Sequence, residues 1–386
     1  MRDADAVVLR YGDLNTKSER VRRGMVGDLL ENLRAVLDAR GIDASVATDH
    51  VRPLVHADDP EAVTQAATDV PGVASASPAY VVDSEQGAIE DALARLAPAV
   101  YTGGTFAVRA RRATDSTSFD SEDAGRFGGD AVGAAVGFEP RVDLDDPDCE
   151  LFVEIRDGRT FVFAEKRAGP GGLPVGTQAP LVALVSGGID SPVAAHESMR
   201  RGAPVVPVYL DLGPYGGPDH VARAEAAMRT LASYSPNRLS EGFRVPAGPD
   251  LETLADAMDR GRMLAFRRYS LRVAAEVAEE VGAAGIVTGE ALGQKSSQTA
   301  RNLRVTSAAT DYPVHRPLLS RDKSEITERA RALGTFADAT VNAGCERFAP
   351  PNPETAGRTE AIERAEPEDL FERASAAARD AERIEL

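Results

Sequence analysis

Lysine is nearly missing from this chain. Of its 44 basic residues only Lys17, Lys166, Lys295 and Lys323 are lysine; 61 residues are acidic, and the net charge over 386 residues is −17. Such a balance suits a protein kept soluble in very high salt, a halophilic one; a GC-rich genome favouring Arg, Ala, Gly and Asp would leave the same trace. The acid excess counts weakly against nucleic acid, whose usual protein footprint is a basic stripe. At molar salt counterion release contributes little, so that objection loses force. Cysteine is equally scarce. Cys149 and Cys345 exclude a disulfide framework and any CxxC zinc site. The five histidines have no ligand spacing, so no protein metal centre is expected and each reads as a packing or surface residue. No apolar run approaches the ~20 residues that cross a bilayer, and Met1-Arg-Asp-Ala-Asp has no signal-peptide character. A soluble cytoplasmic protein of two or three domains is expected.

The stretch that organises the chain is Leu181-Val-Ala-Leu-Val-Ser-Gly-Gly-Ile-Asp-Ser-Pro-Val193. An apolar run of this length fits a buried parallel strand. Ser186, Gly187 and Gly188 break it, and Pro192 stands in the first turn of a following Ala-rich helix. A strand–glycine turn–helix aims backbone N–H groups and the positive helix end at one spot, where phosphate or pyrophosphate fits. Ser186 and Ser191 add hydroxyls. Asp190 should repel phosphate, and its use would be to hold magnesium or polarise a substrate hydroxyl. The spacing is not Walker A. It resembles the SGGxDS loop of the PP-loop ATP pyrophosphatases, which cleave ATP to AMP and pyrophosphate.

The flanking chain reads as α/β throughout. A strand over 5–10 leads to a helix ending near Arg40, with Met25, Leu29, Leu33 and Leu37 in register and Gly41 as its stop. Strand-like pieces follow at 44–48 and 51–56. Residues 57–167 read as a separate unit: helices at 59–68 and 85–96, extended chain at 72–82, a strand over 105–110 ending in Arg109-Ala-Arg-Arg112, and a hairpin about Asp157-Gly158. Cys149 sits among acids, which raise a thiol pKa, and reads as structural. Gly169-Pro-Gly-Gly-Leu-Pro-Val-Gly176 marks a linker. Beyond it, strands at 203–210, 243–246 and 284–288 alternate with helices, as in a doubly wound parallel sheet with ligands at the strand carboxyl ends. The polar stretch Gly289 to Asn302 leaves the last of these strands towards that edge.

Lys323 opens a helix, where the dipole disfavours cations; that misplacement points to a task such as holding phosphate. Cys345 lies in a Gly/Pro loop beside Arg347, an environment that favours reactivity although Glu346 opposes it. Residues 359–386 read as an acidic amphipathic helix or frayed tail. Arg20, Arg22 and Arg23, with Arg109, Arg111 and Arg112, are the basic clusters of an acidic chain and the candidates for an RNA backbone.

From Val8 to Arg358 these segments resemble the ThiI-type tRNA 4-thiouridine synthetases, in the archaeal form without a rhodanese domain. The resemblance rests on Arg10-Tyr-Gly-Asp, Ser186-Gly-Gly-Ile-Asp-Ser-Pro-Val193, Thr288-Gly-Glu-Ala-Leu-Gly-Gln294, Ser297-Gln-Thr299, Arg316-Pro-Leu, Asp322-Lys323 and the Cys345 loop. It implies an N-terminal ferredoxin-like domain (1–56), a THUMP RNA-binding domain (57–167), a linker (168–178), a PP-loop domain (179–358) and the acidic C-terminal segment (359–386). It implies ATP-dependent adenylation of uridine 8 of tRNA at O4, then sulfur delivery from a persulfide on Cys345, with Asp190 and Lys323 as the other catalytic residues. ATP with Mg2+ would meet Leu184, Val185, Ser186, Gly187, Gly188, Ser191, Tyr209, Leu210, Arg267, Gly289 and Gln298. Tyr209 and Leu210 replace a His-Phe pair of relatives. The implied partners are tRNA, a second copy of the chain in a homodimer, and a sulfur donor: a cysteine desulfurase, a sulfur-carrier protein or free sulfide. Family members also supply sulfur for the thiamine thiazole. Met263-Leu-Ala-Phe266 stands where some archaeal members carry iron–sulfur ligands, so no cluster is expected. The competing readings are a PP-loop enzyme that thiolates another tRNA position or amidates a nucleotide, and a degenerate RNA-binding protein.

Overall fold

The computed structural model of the chain describes all residues except 2, 13, 15, 16, 49–51 and 338–344; of residues 48, 345 and 346 it describes the backbone only. Two compact units divide at Gly172 and Leu173, inside the Gly/Pro stretch.

The first unit runs β1 (Ala6–Arg10), α1 (Glu19–Ala39), β2 (Ser45–Thr48), β3 (Pro53–His56), α2 (Pro60–Ala67), β4 (Ser75–Val82), α3 (Gln86–Val100), β5 (Phe106–Arg112), α4 (Ser121–Ala135), β6 (Cys149–Ile155), β7 (Thr160–Phe163) and β8 (Arg167–Ala168). One sheet carries them in the order β2-β3-β1-β4-β7-β6-β5, with β8 also on β4. Its first half is a βαββαβ arrangement. The period-2 alternation of β1 divides it: Val7 and Leu9 join the core under α1 and α2, while Ala6 and Val8 join a cluster with Phe161 and Phe163. Because α2 and β4 complete this arrangement, a boundary at 56/57 cuts through it. In the second half β5 pairs parallel to β6 and β6 antiparallel to β7, about Gly158 at φ +74°. Residues 121–135, which carry four glycines, form α4, which a reciprocal Asp120–Asp123 capping box starts.

The second unit runs β9 (Leu181–Leu184), α5 (Asp190–Met199), β10 (Val205–Asp211), α6 (Pro218–Ser233), β11 (Glu241–Pro246), α7 (Gly248–Ala257), α8 (Arg262–Val281), β12 (Ile286–Val287), α9 (Ala300–Ser307), β13 (Val314–His315), α10 (Lys323–Leu333), α11 (Cys345–Phe348), α12 (Thr359–Ala365), α13 (Leu370–Arg379) and β14 (Glu382–Glu385). The sheet order is β13-β12-β9-β10-β11-β14. Pairings from β13 to β11 are parallel, and β14 is antiparallel to β11. Two apolar clusters, one on each side, cover it. The chain order reverses beside β9, so the carboxyl end of β9 is the crevice where such sheets take ligands. The last segment corrects the expectation of one helix or a tail: α13 packs on α8 through Leu370, Ala374 and Ala378, and β14 closes the sheet edge with charged residues.

Candidate nucleotide site and basic groove

The crevice holds a cavity of about 250 Å³. Leu184, Leu210, Met263, Phe266 and Leu271 line one side; Ser186, Gly188, Asp190 and Ser191 line the turn, and Arg267, Gly289 and Gln298 complete the wall. The expected nucleotide residues Val185 and Tyr209 also face it. Gly187 stands behind the turn, where a Cβ would lie 3.1 Å from Arg223 Cβ and 3.3 Å from the His220 carbonyl oxygen. Neither Gly187 nor Gly188 has a positive φ, so close approach rather than a left-handed backbone explains the glycine at 187.

The two hydroxyls correct the picture of a bare turn. Ser186 N–H donates to Ser191 Oγ at 2.8 Å, Ser186 Oγ lies 3.0 Å from Ser191 Oγ, and Gly188 N–H donates to Ser186 Oγ at 3.3 Å. The serines therefore brace the turn. Gly289 leaves β12 against it: a Cβ there would be 2.7 Å from Ser191 N.

Asp190 does not face the turn unpartnered. Lys323, 133 residues on, donates from Nζ to Asp190 Oδ1 at 2.5 Å. With its amide nitrogen towards Asp190 Oδ2 and its oxygen towards Lys323 Nζ, Gln294 lies 3.2 Å from both. The lysine at a helix start is thus placed by tertiary charge, and the carboxylate and ammonium share the mouth of the turn.

A second charged knot fixes the cavity wall. Glu290 is 4 % exposed. It accepts from Arg267 at 2.6 Å, Arg316 at 2.7 Å and Thr288 Oγ1 at 3.0 Å. Burial pushes its carboxyl up, but Arg267 and Arg316 hold it below the ordinary range. Arg267 also donates to Ser297 Oγ, and Arg316 to Ser307 Oγ. A buried charge needs such partners, and Arg267 is thereby oriented beside the cavity. Sequence reasoning singled out Arg267 and the loop but not Glu290 as their hub, nor His220, which also lines the cavity.

Cys345 opens α11; its side chain lies outside the described residues, as do Asp13 of the first motif and residues 342–344 of the cysteine loop. One turn later Phe348 is 1 % exposed and packs edge-on to Phe266, which lines the cavity, at 5.6 Å. In the other unit Cys149 is half-buried, and burial, then Glu150, raises its thiol pKa.

The first unit carries a broad groove of about 1320 Å³. Arg109 and Arg111, on one face of β5, line it together with Arg10, Arg52, Arg126, Arg156 and Lys166. Glu154 gathers Arg10 at 3.0 Å, Arg52 at 2.8 Å and Arg156 at 2.5 Å. Burial alone would raise its carboxyl, yet these arginines pull it down to about 2. Phe152 and Phe163 stack at 5.2 Å in the groove wall, with Arg10 over Phe163. Arg112, by strand alternation, turns away and donates to the Phe119 carbonyl and Thr117 Oγ1. Arg20, Arg22 and Arg23 lie on the first turns of α1, outside the groove lining, and Arg23 pairs with Glu19. The six arginines grouped in the sequence are therefore three separate features.

Among the described residues no cluster of His, Cys, Asp or Glu could hold a metal ion by itself, and no helix is long and apolar enough to cross a membrane. Compared with known proteins, the second unit matches the family of thiamine biosynthesis protein (ThiI) over residues 176–371. Residues 86–165 match the THUMP domain and 6–77 the ThiI ferredoxin-like domain, whose extent agrees with a βαββαβ unit running into β4. A probable tRNA sulfurtransferase of Halobacterium salinarum is 56% identical over 99% of this chain and 98% of its own length. The chain belongs to the ThiI family of tRNA sulfurtransferases. A probable tRNA sulfurtransferase of Methanosarcina acetivorans is 40% identical over 91% of this chain and 86% of that one. Among solved structures, a 4-thiouridine synthetase–RNA complex with bound ATP superposes with a TM-score of 0.86 at 27% identity, covering 99% of both chains. For a ThiI family member, the cavity at β9 and the groove on the first unit are the two places where chemistry and RNA recognition would be sought.

Proposed function

We propose that this tRNA sulfurtransferase adenylates uridine 8 of tRNA and replaces its O4 with sulfur. The observation that carries the reading is the Asp190–Lys323 pair, 2.5 Å apart at the mouth of a glycine turn in a cavity with an apolar wall. The apolar side suits adenine and the turn suits the triphosphate. The uracil O4 attacks the α-phosphorus; the bond to the β-phosphate oxygen breaks and pyrophosphate leaves along the turn. Lys323 meets the growing charge of the leaving group, and Asp190 orients the attacking side. Magnesium fits Asp190 plus phosphate oxygens, since that cation takes one or two carboxylates and substrate oxygens; bound there, it would neutralise phosphate charge.

The adenylated O4 is a far better leaving group than a carbonyl oxygen. A persulfide on Cys345, whose outer sulfur is passed on as sulfane sulfur from the persulfide of a cysteine desulfurase or of a carrier protein, attacks C4 with that terminal sulfur, and AMP departs; free sulfide, already fully reduced, would instead attack C4 directly. The resulting C4–S–S–Cys345 link is cleaved by an external thiol, which leaves 4-thiouridine and a mixed disulfide on Cys345. α11, anchored by Phe348 on the cavity's Phe266, supports placing that sulfur near the site. The groove supports tRNA binding: its cations suit phosphates and the stacked Phe152–Phe163 pair suits bases. The same persulfide would serve a carrier protein for thiazole synthesis, which the description of the matched family suggests.

The test is incubation with ATP, a cysteine desulfurase with L-cysteine as persulfide source, an external thiol and unmodified tRNA, followed by nucleoside mass spectrometry. 4-Thiouridine at position 8 with equimolar AMP and pyrophosphate is expected. Another thiolated position would favour the other PP-loop reading, and tRNA binding without ATP turnover would favour a degenerate binder.

A further inference from the structure

His220 is the third residue of α6, 1 % exposed, and is one of the residues that line the cavity. Nδ1 lies 2.7 Å from Tyr209 Oη, with the rings 5.4 Å apart. Nε2 is buried and has no hydrogen-bond partner. The edge that carries it lies against the phosphate turn: a Cβ on Gly187 would stand 3.6 Å from His220 Cδ2, the ring carbon bonded to Nε2. A tyrosine hydroxyl that donates to Nδ1 leaves the imidazole proton on Nε2. Burial, with Arg223 nearby, lowers the His220 pKa, so the ring is neutral at pH 7. With the tyrosine hydroxyl as donor, the result is a buried N–H with nothing to receive it, an arrangement that is costly until an acceptor arrives.

We propose that His220 is a neutral phosphate-binding residue whose Nε2–H, set by Tyr209, donates to the phosphate chain of a nucleoside triphosphate lying in the Ser186–Ser191 turn. The inference rests on the cavity being a nucleotide site. The phosphate end is favoured over the base because the His220 ring edge neighbours Gly187, whereas Met263, Phe266 and Leu271 form the apolar wall. A neutral donor gives direction to the phosphates without a further cation to retain departing pyrophosphate. Tyr209 is then a positioning residue that acts through the imidazole.

The test compares ATP and adenosine affinities by calorimetry in the full chain, for wild type, His220→Asn, His220→Gln and Tyr209→Phe. Gln can bring its amide N–H close to the Nε2 position; Asn reaches only towards Nδ1. His220→Asn should weaken ATP at least about 10-fold, the range of a hydrogen bond to a charged group, and leave adenosine unchanged, while His220→Gln stays within about threefold of wild type for ATP. Tyr209→Phe should show a smaller loss than His220→Asn, again for ATP only. Equal losses for ATP and adenosine, or unchanged ATP affinity in His220→Asn, would overturn the assignment. Long-range 1H–15N spectra of the wild-type protein test it whether or not the variants fold: a protonated Nε2 and bare Nδ1 are expected, and the opposite tautomer sinks the idea. Wild-type protein that binds neither ATP nor adenosine would instead remove the nucleotide-site reading beneath it.

Discussion

The cavity at β9 and the groove on the first unit offer anions two different receptions. At the cavity the receiver is main chain: a glycine turn braced by Ser186 and Ser191, a helix start, and one ammonium, Lys323, already matched to Asp190. At the groove it is side chain: seven cations, with three of them drawn onto buried Glu154. The difference suits the tasks proposed for them. A turn of backbone N–H groups fixes one phosphate chain in one pose, whereas splayed arginines can follow a polymer. It also suits the charge of the whole chain. With a net charge of −17, attraction must be concentrated locally, and partly buried groups are screened by salt far less than exposed ones.

The sharpest way to break this contrast is at the chemistry. Cys345→Ser should release pyrophosphate in the presence of tRNA yet form no 4-thiouridine, while Cys149→Ser keeps both; full thiolation of Cys345→Ser by free sulfide would mean that sulfide itself attacks the activated uridine. Asp190→Ala should lose roughly 10³-fold in ATP-dependent pyrophosphate release, the scale of removing one preorganised group. Its melting should barely move, because a pair this exposed is worth at most about 1 kcal/mol. Wild-type turnover in the folded variant would leave the turn without a catalytic carboxylate.

Glu154→Gln comes next. Removing one partner of a buried knot leaves three arginines uncompensated and should cost about 3 kcal/mol, read as faster amide exchange in β1 and β6. The wild-type protein should show the matching acid effect. The Glu154 pKa falls from 4.5 to about 2 on folding, so its contribution is complete above pH ~4.5 and is lost as pH falls through about 2. Groove amides that exchange at a constant rate across that window would show the knot to be decorative.

The smaller effects divide the arginines. Reversing Arg109 and Arg111 together should weaken tRNA binding about 10-fold at moderate salt, flatten its salt dependence and spare ATP affinity. Reversing Arg112 or Arg20 should do less, since Arg112 faces the 115–119 loop and Arg20 lies outside the groove. Equal losses at all four would restore a single continuous RNA surface.

Much of this was legible from local pattern. The strand–turn–helix at 181–199, the hairpin about Gly158 and the helix of 19–39 need only neighbours in sequence to be recognised. The elements that escaped notice lack local strength. α4 carries Gly125, Gly128, Gly129 and Gly133, each a poor helix former, and its start lies in a capping box of two aspartates. β14 is Glu-Arg-Ile-Glu, too short and charged to read as a strand until β11 offers it an edge.

The sequence alone marked the residues proposed to bind an anion, because a glycine turn between strand and helix is a short-range property of backbone geometry. It also marked Lys323 as misplaced, since a cation at a helix start is unfavourable by itself. Only the tertiary structure decided what those residues meet. It set Lys323 against Asp190 across 133 residues, Arg10 against Glu154 across 144, Arg316 against Glu290 across 26, and His220 against Tyr209 across 11. Apart from the exposed Lys323–Asp190 pair, these pairings are fixed by burial, which makes an unpartnered charge or N–H costly and so selects the fold that supplies a partner; no local pattern carries that information.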